Sequence, residues 1–473
     1  MRALLRYSGP MNLEPYRQRR ARLARALRDA GGGVAIVPTA PERRRNADSD
    51  HPYRFDSHFH YLTGFAEPES WLVLDGAGRS LLFCRERDAQ REIWDGLRLG
   101  PEAAPAALGV DAAFPVAALD EQLPKLLADQ GAVWLAMDAE GPLHERVRAW
   151  LDRVRGHARL GVACPGSLHD LAPLLAEMRL VKDGAEIATL RRACAITAGA
   201  HARAMRWCGA RFRANAQARV REYEIEAELL HEFRRHGAQS PAYTSIVAAG
   251  ANACILHYAA GDAELRAGEL CLIDAGCELD GYASDVTRTF PADGRFSAPQ
   301  RALYDIVLAA QQAAIDATAP GARKDDAHWA AVRVISQGLL DTGLLARERH
   351  GDVDAVIESA AYRQFFMHGT GHWLGLDVHD VGEYLALEEA PVEQRDGLGG
   401  RIVRKPSRVL RPGMVVTIEP GLYVRPAEGV PEAFWNIGIR IEDDALVTPD
   451  GCELMSRGVP VAADEIEALM RAG

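Results

Sequence analysis

The sequence contains no apolar run of membrane-spanning length, no CxxC pair and no extended basic stretch, and each absence excludes a class of protein. Crossing a bilayer as a helix takes about 20 consecutive apolar residues, so no membrane partner is expected. The eight cysteines, Cys84, Cys164, Cys194, Cys208, Cys254, Cys271, Cys277 and Cys452, follow no disulfide-scaffold spacing and read as reduced, mostly buried thiols. Near the amino end, Ala3-Leu-Leu5 is too short for the apolar core of a signal peptide, and Arg6 interrupts it. The expected address is therefore the cytoplasm. Basic residues are outnumbered, 55 Lys and Arg against 66 Asp and Glu, and the net charge of −11 argues against a nucleic-acid partner. The local exceptions, arginine clusters at residues 17–22 and 43–45, read as solvated helix or loop faces.

What is present suits a soluble globular protein: 473 residues, 48% hydrophobic and 26% charged. That length exceeds one ordinary core and predicts two domains. Residues 12–180 alternate helical patterns with strand candidates at 34–37, 71–74, 80–83 and 132–136, which predicts a small α/β domain. The boundary is expected near residues 179–184, ahead of a core helix in which Ile187, Leu190, Ala193, Cys194 and Ile196 keep helical spacing. In residues 181–473, two helix-rich stretches each precede a strand pair, so the chain as a whole reads as α+β.

Those strand pairs carry the chemistry. Asp274, Asp285, His372, Glu419 and Glu442 form a candidate ligand set of four carboxylates and one imidazole, whose charge matches two divalent cations. Such a pair lowers the pKa of a shared water and polarises a reacting oxygen, which points to hydrolysis. Asp280-Gly281 is a two-residue hairpin signal. If Leu279 pairs with Tyr282, counting outward pairs Asp274 with Thr287, and the period of two brings Asp285 diagonally beside Asp274. Cys271 and Cys277, at odd offsets from Asp274, then face away from the metals. In the second pair, Pro420-Gly421 predicts a bulge or strand end after Glu419. Arg440 and Glu442 share one face there, and Ile439 and Ile441 the other. His368, His372 and His379 fall in a glycine-rich segment that can turn all three toward one cleft.

The phrases Ile255-Leu-His-Tyr258, Asp274-Ala-Gly276, Asp285-Val-Thr-Arg-Thr-Phe290, Met367-His-Gly-Thr-Gly-His-Trp373, Asp377-Val-His-Asp-Val381, Glu419-Pro-Gly-Leu-Tyr423 and Gly438-Ile-Arg-Ile-Glu-Asp443 together resemble the pita-bread metallopeptidases, and within them the Xaa-Pro aminopeptidases, or aminopeptidase P. Ala47-Asp-Ser-Asp-His-Pro-Tyr53, Tyr61-Leu-Thr-Gly-Phe65 and Glu92-Ile-Trp-Asp-Gly96 extend the resemblance to the amino-terminal domain. It implies a creatinase-like α/β domain followed by a pita-bread catalytic domain. It also implies a reaction, removal of an N-terminal residue from a following proline.

By the same resemblance, Asp274 binds one ion, Asp285 and Glu442 bridge both, and His372 and Glu419 complete the shell. Manganese is the first expectation, with cobalt, iron or zinc as alternatives. His257, His368, His379 and Arg440 would line the pocket, and Glu419 would pass a proton to the leaving amine. Tyr243 is a further pocket candidate. Trp94 either reaches a neighbouring subunit's pocket in a homodimer or homotetramer, or is a core aromatic. Proline-containing peptides are the expected substrates. A prolidase restricted to dipeptides is the alternative, and a non-catalytic module on the same scaffold the reading from another class. Residues 383–407, longer than in bacterial-type relatives, read as a surface loop, and the first ten residues as an extension or a misassigned start.

Overall fold

The structure is a computed structural model that describes residues 12–138, 142–395 and 400–472. The expectation for the first ten residues lies outside the described residues. The chain divides into two compact units after Arg179.

The amino-terminal unit is built on a mixed six-stranded sheet in the spatial order Ala112–Pro115, Ser80–Cys84, Trp71–Asp75, Val34–Pro38, Ala132–Leu135, Ser167–Asp170. The four strands foreseen from sequence form its middle. The two at its edges, Ala112–Pro115 and Ser167–Asp170, carry too little alternation to stand out and were missed. Leu119, Leu123, Leu127, Val147, Trp150 and Leu151 from two helices close the core against one sheet face. The cluster at residues 17–22 is not simply a solvated face. On the helix Glu14–Asp29, Arg19 and Arg20 are buried and donate to the carbonyls of Tyr61, Leu62, Leu108 and Gly109.

In the carboxy-terminal unit the helix Gly184–Ala214 starts at an Asp183 capping box: Asp183 Oδ1 accepts from the amides of Ala185 and Glu186, and the Glu186 carboxylate accepts from Asp183 N. Helices Gly184–Ala214 and Glu222–Arg235 precede the first strand pair, and Ala298–Ala317 and Lys324–Asp341 precede the second. The first hairpin holds the register read from sequence. Leu279 pairs with Tyr282 across the Asp280-Gly281 turn, where both residues have positive φ (51° and 86°) as a type I′ turn requires. Asp274 pairs with Thr287. In the second, Ile418 pairs with Asp443 and Gly421 with Arg440, so the intervening count sets Glu419 opposite Glu442.

Residues 383–407 are not merely a loop. They contain the antiparallel strands Val392–Arg395 and Arg401–Arg404, tied down by a bidentate Arg323–Glu389 pair at 3.0 and 2.6 Å.

Candidate metal centre and substrate cavity

Each ligand hairpin breaks its ladder where the ligands stand. The first lapses between Asp274 and Cys277 on one strand and between Ala283 and Thr287 on the other; the second between Ile418 and Gly421, and between Arg440 and Asp443. The two strands approach closely at the first break, where a Cβ on Gly276 would lie 1.6 Å from the Ser284 carbonyl oxygen. Gly371 is needed for a similar reason, its Cβ falling 1.9 Å from Thr417 O beside the second hairpin. The halves join where Glu442 N donates to Thr287 O (3.0 Å) and Arg440 N and Thr289 Oγ1 pair, so four carboxylates meet in one place.

All the candidate site residues of the carboxy-terminal unit line one cavity of about 640 Å³: His257, Asp274, Asp285, His368, His372, His379, Glu419, Arg440, Glu442 and Tyr243. Asp285, His372 and Glu442 form its tightest group, with one ligand atom from each within 4.8 Å of the others. His372 Nε2 stands 3.4 Å from Asp285 Oδ2 and 3.7 Å from Glu419 Oε1. Its Nδ1 donates to Trp373 O at 3.0 Å, so Nε2 is the ring nitrogen turned toward the carboxylates, protonated while they stand alone and free to offer its lone pair to a metal once that proton leaves. Asp274 is held by Arg440 at 2.5 Å and by Tyr243 Oη at 2.6 Å. The same hydroxyl also stands against Asp285 Oδ1, so its single proton is shared between the two carboxylates.

The electrostatics follow from crowding. Burial, reinforced by Asp274, raises the Asp285 carboxyl. Burial and three acidic neighbours push Glu442 well above the usual range, and burial lifts Glu419 to about 7 despite His372 and Arg440. Asp274 goes the other way: burial would raise it, but Arg440 and the Tyr243 hydrogen bond hold it below its ordinary value. His372, against the effect of burial, is lifted to about 9 by Asp285 and Glu419. Concentrated, largely buried negative charge, opposed chiefly by His372 and Arg440, fits a divalent-cation centre of oxygen ligands and one nitrogen.

The pocket histidines divide into two kinds. His368 is committed, with Nδ1 donating to Gly369 O (2.6 Å) and Nε2 accepting from Tyr423 Oη (2.9 Å). Burial and the nearby Arg440 hold it neutral, with a pKa lowered to about 3. His257 and His379 make no hydrogen bond among the described residues and are the imidazoles available to a ligand. Trp94 is 84% exposed on the helix Arg91–Asp95 of the amino-terminal unit, which overturns its reading as a core aromatic. Among the described residues of 383–407, none lines the cavity.

Sequence reading missed the supporting layer. Thr287 Oγ1 donates to Glu442 at 2.6 Å, Thr417 Oγ1 to Glu419 at 3.3 Å, and Tyr423 joins His368 to Arg440. Glu222 is fully buried. Its carboxylate accepts from Ala249 N, Asn252 Nδ2, Tyr258 Oη and Gly261 N at 2.8–3.0 Å, pinning the segment that carries His257. Glu222→Gln turns an amide NH₂ toward two of these donors. It is expected to cost about 2 kcal/mol in urea unfolding and to lower kcat/KM about tenfold or more; unchanged values in both would show that the carboxylate holds nothing the reaction needs.

The sequence pattern described as metallopeptidase family M24 matches residues 188–449, and that of the aminopeptidase P N-terminal domain matches residues 16–134. The chain is 44% identical to the Xaa-Pro aminopeptidase of Escherichia coli K12, covering 97% of each protein, and 40% identical to that of Haemophilus influenzae, covering 98% of this chain and 99% of the other. Among solved structures it superposes on Pseudomonas aeruginosa aminopeptidase PepP with a TM-score of 0.88 at 46% identity over 98% of both chains. Two domains, the second a pita-bread fold, are common to this group. The chain belongs to metallopeptidase family M24, in its aminopeptidase P branch.

Proposed function

We propose that this protein is a manganese-dependent Xaa-Pro aminopeptidase, releasing the N-terminal residue from peptides with proline second. The observation that carries the reading is the meeting of four carboxylates, Asp285 and Glu442 buried and Asp274 and Glu419 partly so, with His372 and Arg440 in a cavity large enough for a peptide end. Asp274, Asp285, His372, Glu419 and Glu442 would hold two divalent ions, which would lower the pKa of a water and polarise the scissile carbonyl. Tyr243 and Arg440 keep Asp274 oriented and ionised, and Thr287 does the orienting for Glu442. His257 and His379, with uncommitted ring nitrogens, face the substrate and can hydrogen-bond its carbonyl as charge develops there. Glu419, lifted to about 7, is suited to take a proton and return it to the proline nitrogen. That delivery is needed because an unprotonated amide anion is a very poor leaving group.

An Xaa-Pro bond lacks the N–H that ordinary peptidases recognise and restricts the residue before it. The apolar wall formed by Ile246, Leu256 and Val378 suits a pyrrolidine ring. We place the enzyme in the cytoplasm as a homodimer or homotetramer; the adjacent exposed Ile93 and Trp94 (79% and 84%) supply an apolar edge for such assembly.

The test offers Gly-Pro peptides of increasing length to chelator-treated protein with and without manganese. Cleavage of tripeptides and longer chains, dependent on added metal, is expected. Cleavage confined to the dipeptide would make the protein a prolidase, and failure to take up any divalent ion would favour a binding module.

A further inference from the structure

The amino-terminal unit carries a second cavity, of about 570 Å³, which the chemistry above does not use. One wall is a face of the helix Glu14–Asp29, from which Arg17, Arg20, Arg25 and Arg28 all line it. The opposite side is formed by the Ala77-Gly78 turn, Ser80 and the segment ending at Asp111. Spacings of three to five residues keep the four arginines on adjoining rows of the helix, along about 16 Å at a rise of about 1.5 Å per residue. Four guanidinium groups thus face a single carboxylate in a protein whose net charge is −11.

None of the four has a direct carboxylate partner among the described residues. Arg20 is only 4% exposed, yet its hydrogen bonds go to the neutral carbonyls of Leu62, Leu108 and Gly109 at 2.8, 3.3 and 2.6 Å. Burial lowers its pKa to about 10; Asp111 opposes the fall and Arg17 adds to it. Asp111 is itself occupied, its Oδ2 accepting from Ser80 N (2.7 Å) and Oγ (2.8 Å). Arg28 donates to Gly76 O at 2.5 Å, while Arg17 and Arg25 have no hydrogen-bond or ion-pair partner among the described residues. A buried cation hydrogen-bonded only to neutral groups, with one carboxylate nearby to offset four guanidiniums, is costly, and an anion in the cavity would reduce that cost and the mutual repulsion together.

The lining also bears on the anion's shape. Ala21, Ala24, Ala77 and Gly78 leave open width without any pocket for a peptide side chain, and no aromatic ring is present on which a base could stack. Guanidinium forks match phosphate oxygens two at a time. We propose that this cavity binds a small anion carrying several linked phosphate groups, laid along the arginine face.

The test is isothermal titration calorimetry of the full-length protein with inorganic tripolyphosphate in low-salt buffer. Saturable binding at one site is expected, weakened at least about tenfold by Arg17→Ala/Arg25→Ala. Those side chains are exposed, so the fold and peptide cleavage should be unaffected. Arg148→Ala/Arg159→Ala, exposed outside the cavity, should leave the affinity unchanged. Adenosine triphosphate binding no tighter than tripolyphosphate would support recognition through phosphate alone. Four results would overturn the proposal: no saturable heat up to millimolar ligand, undiminished binding to the Arg17/Arg25 variant, orthophosphate binding as tightly as tripolyphosphate, or a single-stranded oligonucleotide displacing it at lower concentration.

Discussion

Asp285→Asn is expected to lower turnover of Xaa-Pro peptides at least about a thousandfold, an activation cost of about 4 kcal/mol, while leaving the metal-free protein folded and more stable than its parent. Asp285 stands in the tight group with His372 and Glu442, so its loss should remove a shared ligand; partners one layer out already cost about 10- to 100-fold when changed. The fold should survive because the amide fits the existing partners. Its oxygen can still accept from Tyr243, and its NH₂ can donate to His372 Nε2 in place of the Oδ2 contact at 3.4 Å, because His372 loses the carboxylate that raises its pKa and burial then favours the neutral ring. The gain in stability follows from the direction of the carboxyl's shift. Burial and Asp274 raise the folded-state pKa of Asp285. Ionisation therefore penalises the metal-free fold as pH rises above the unfolded value, and a neutral amide escapes that penalty at pH 7. Thermal melts with and without manganese check both halves: the apo midpoint should rise, and the upward shift on adding metal should shrink. Parent-like turnover, or an unchanged metal shift, would remove Asp285 from the centre.

The convergence of the acidic ligands was legible in the sequence because hairpin geometry is local. Asp280-Gly281 fixes one register, a one-residue slip would turn every side chain over, and the observed Asp274 to Thr287 pairing follows by counting. Arg440 and Glu442 on one face and Ile439 and Ile441 in the core follow from the same period of two. The supporting layer was not legible, because its partners are remote. Thr287 meets a carboxylate 155 residues away, and His368 meets a tyrosine 55 residues away. No local pattern encodes such pairings. The burial of Arg20 was accessible in principle: it lies on the helical row of Ala24 and Leu27, so the 3.6 period places it inward even though its charge suggests the opposite. The strand pair Val392–Arg395 and Arg401–Arg404 has the reverse difficulty. Its strands mix Val392, Ile402 and Val403 with glutamate, glutamine and arginine, and they carry ion pairs such as Arg401–Glu393 and Arg404–Asp325 rather than an apolar face.

The largest loss of stability is expected from Arg288→Met, about 3–5 kcal/mol in urea unfolding, read as a fall in midpoint at unchanged slope. Arg288 belongs to the strand Thr287–Pro291 but faces away from the ligands, and it has no exposed surface. Its guanidinium donates to Thr287 O, Glu442 O, Val459 O and Pro460 O and to Asp443 Oδ1 at 2.6–3.2 Å. One side chain thereby ties the first hairpin to the second at the backbone of a ligand, Glu442. Methionine fills a similar volume but leaves several carbonyls and the buried Asp443 without their donor. Gln311, Ser456 and Arg457 still reach Asp443, which keeps the loss from being larger. If the cost comes mainly from stranded charge, Arg288→Met/Asp443→Leu should be more stable than Arg288→Met alone, because a buried pair replaced by apolar groups is often nearly neutral. Activity separates the two contributions. Stability regained without turnover would mean that Arg288 positions Glu442 as well as balancing Asp443, whereas a double variant no more stable than the single one would show that the carbonyl contacts, and not the ion pair, hold the hairpins together.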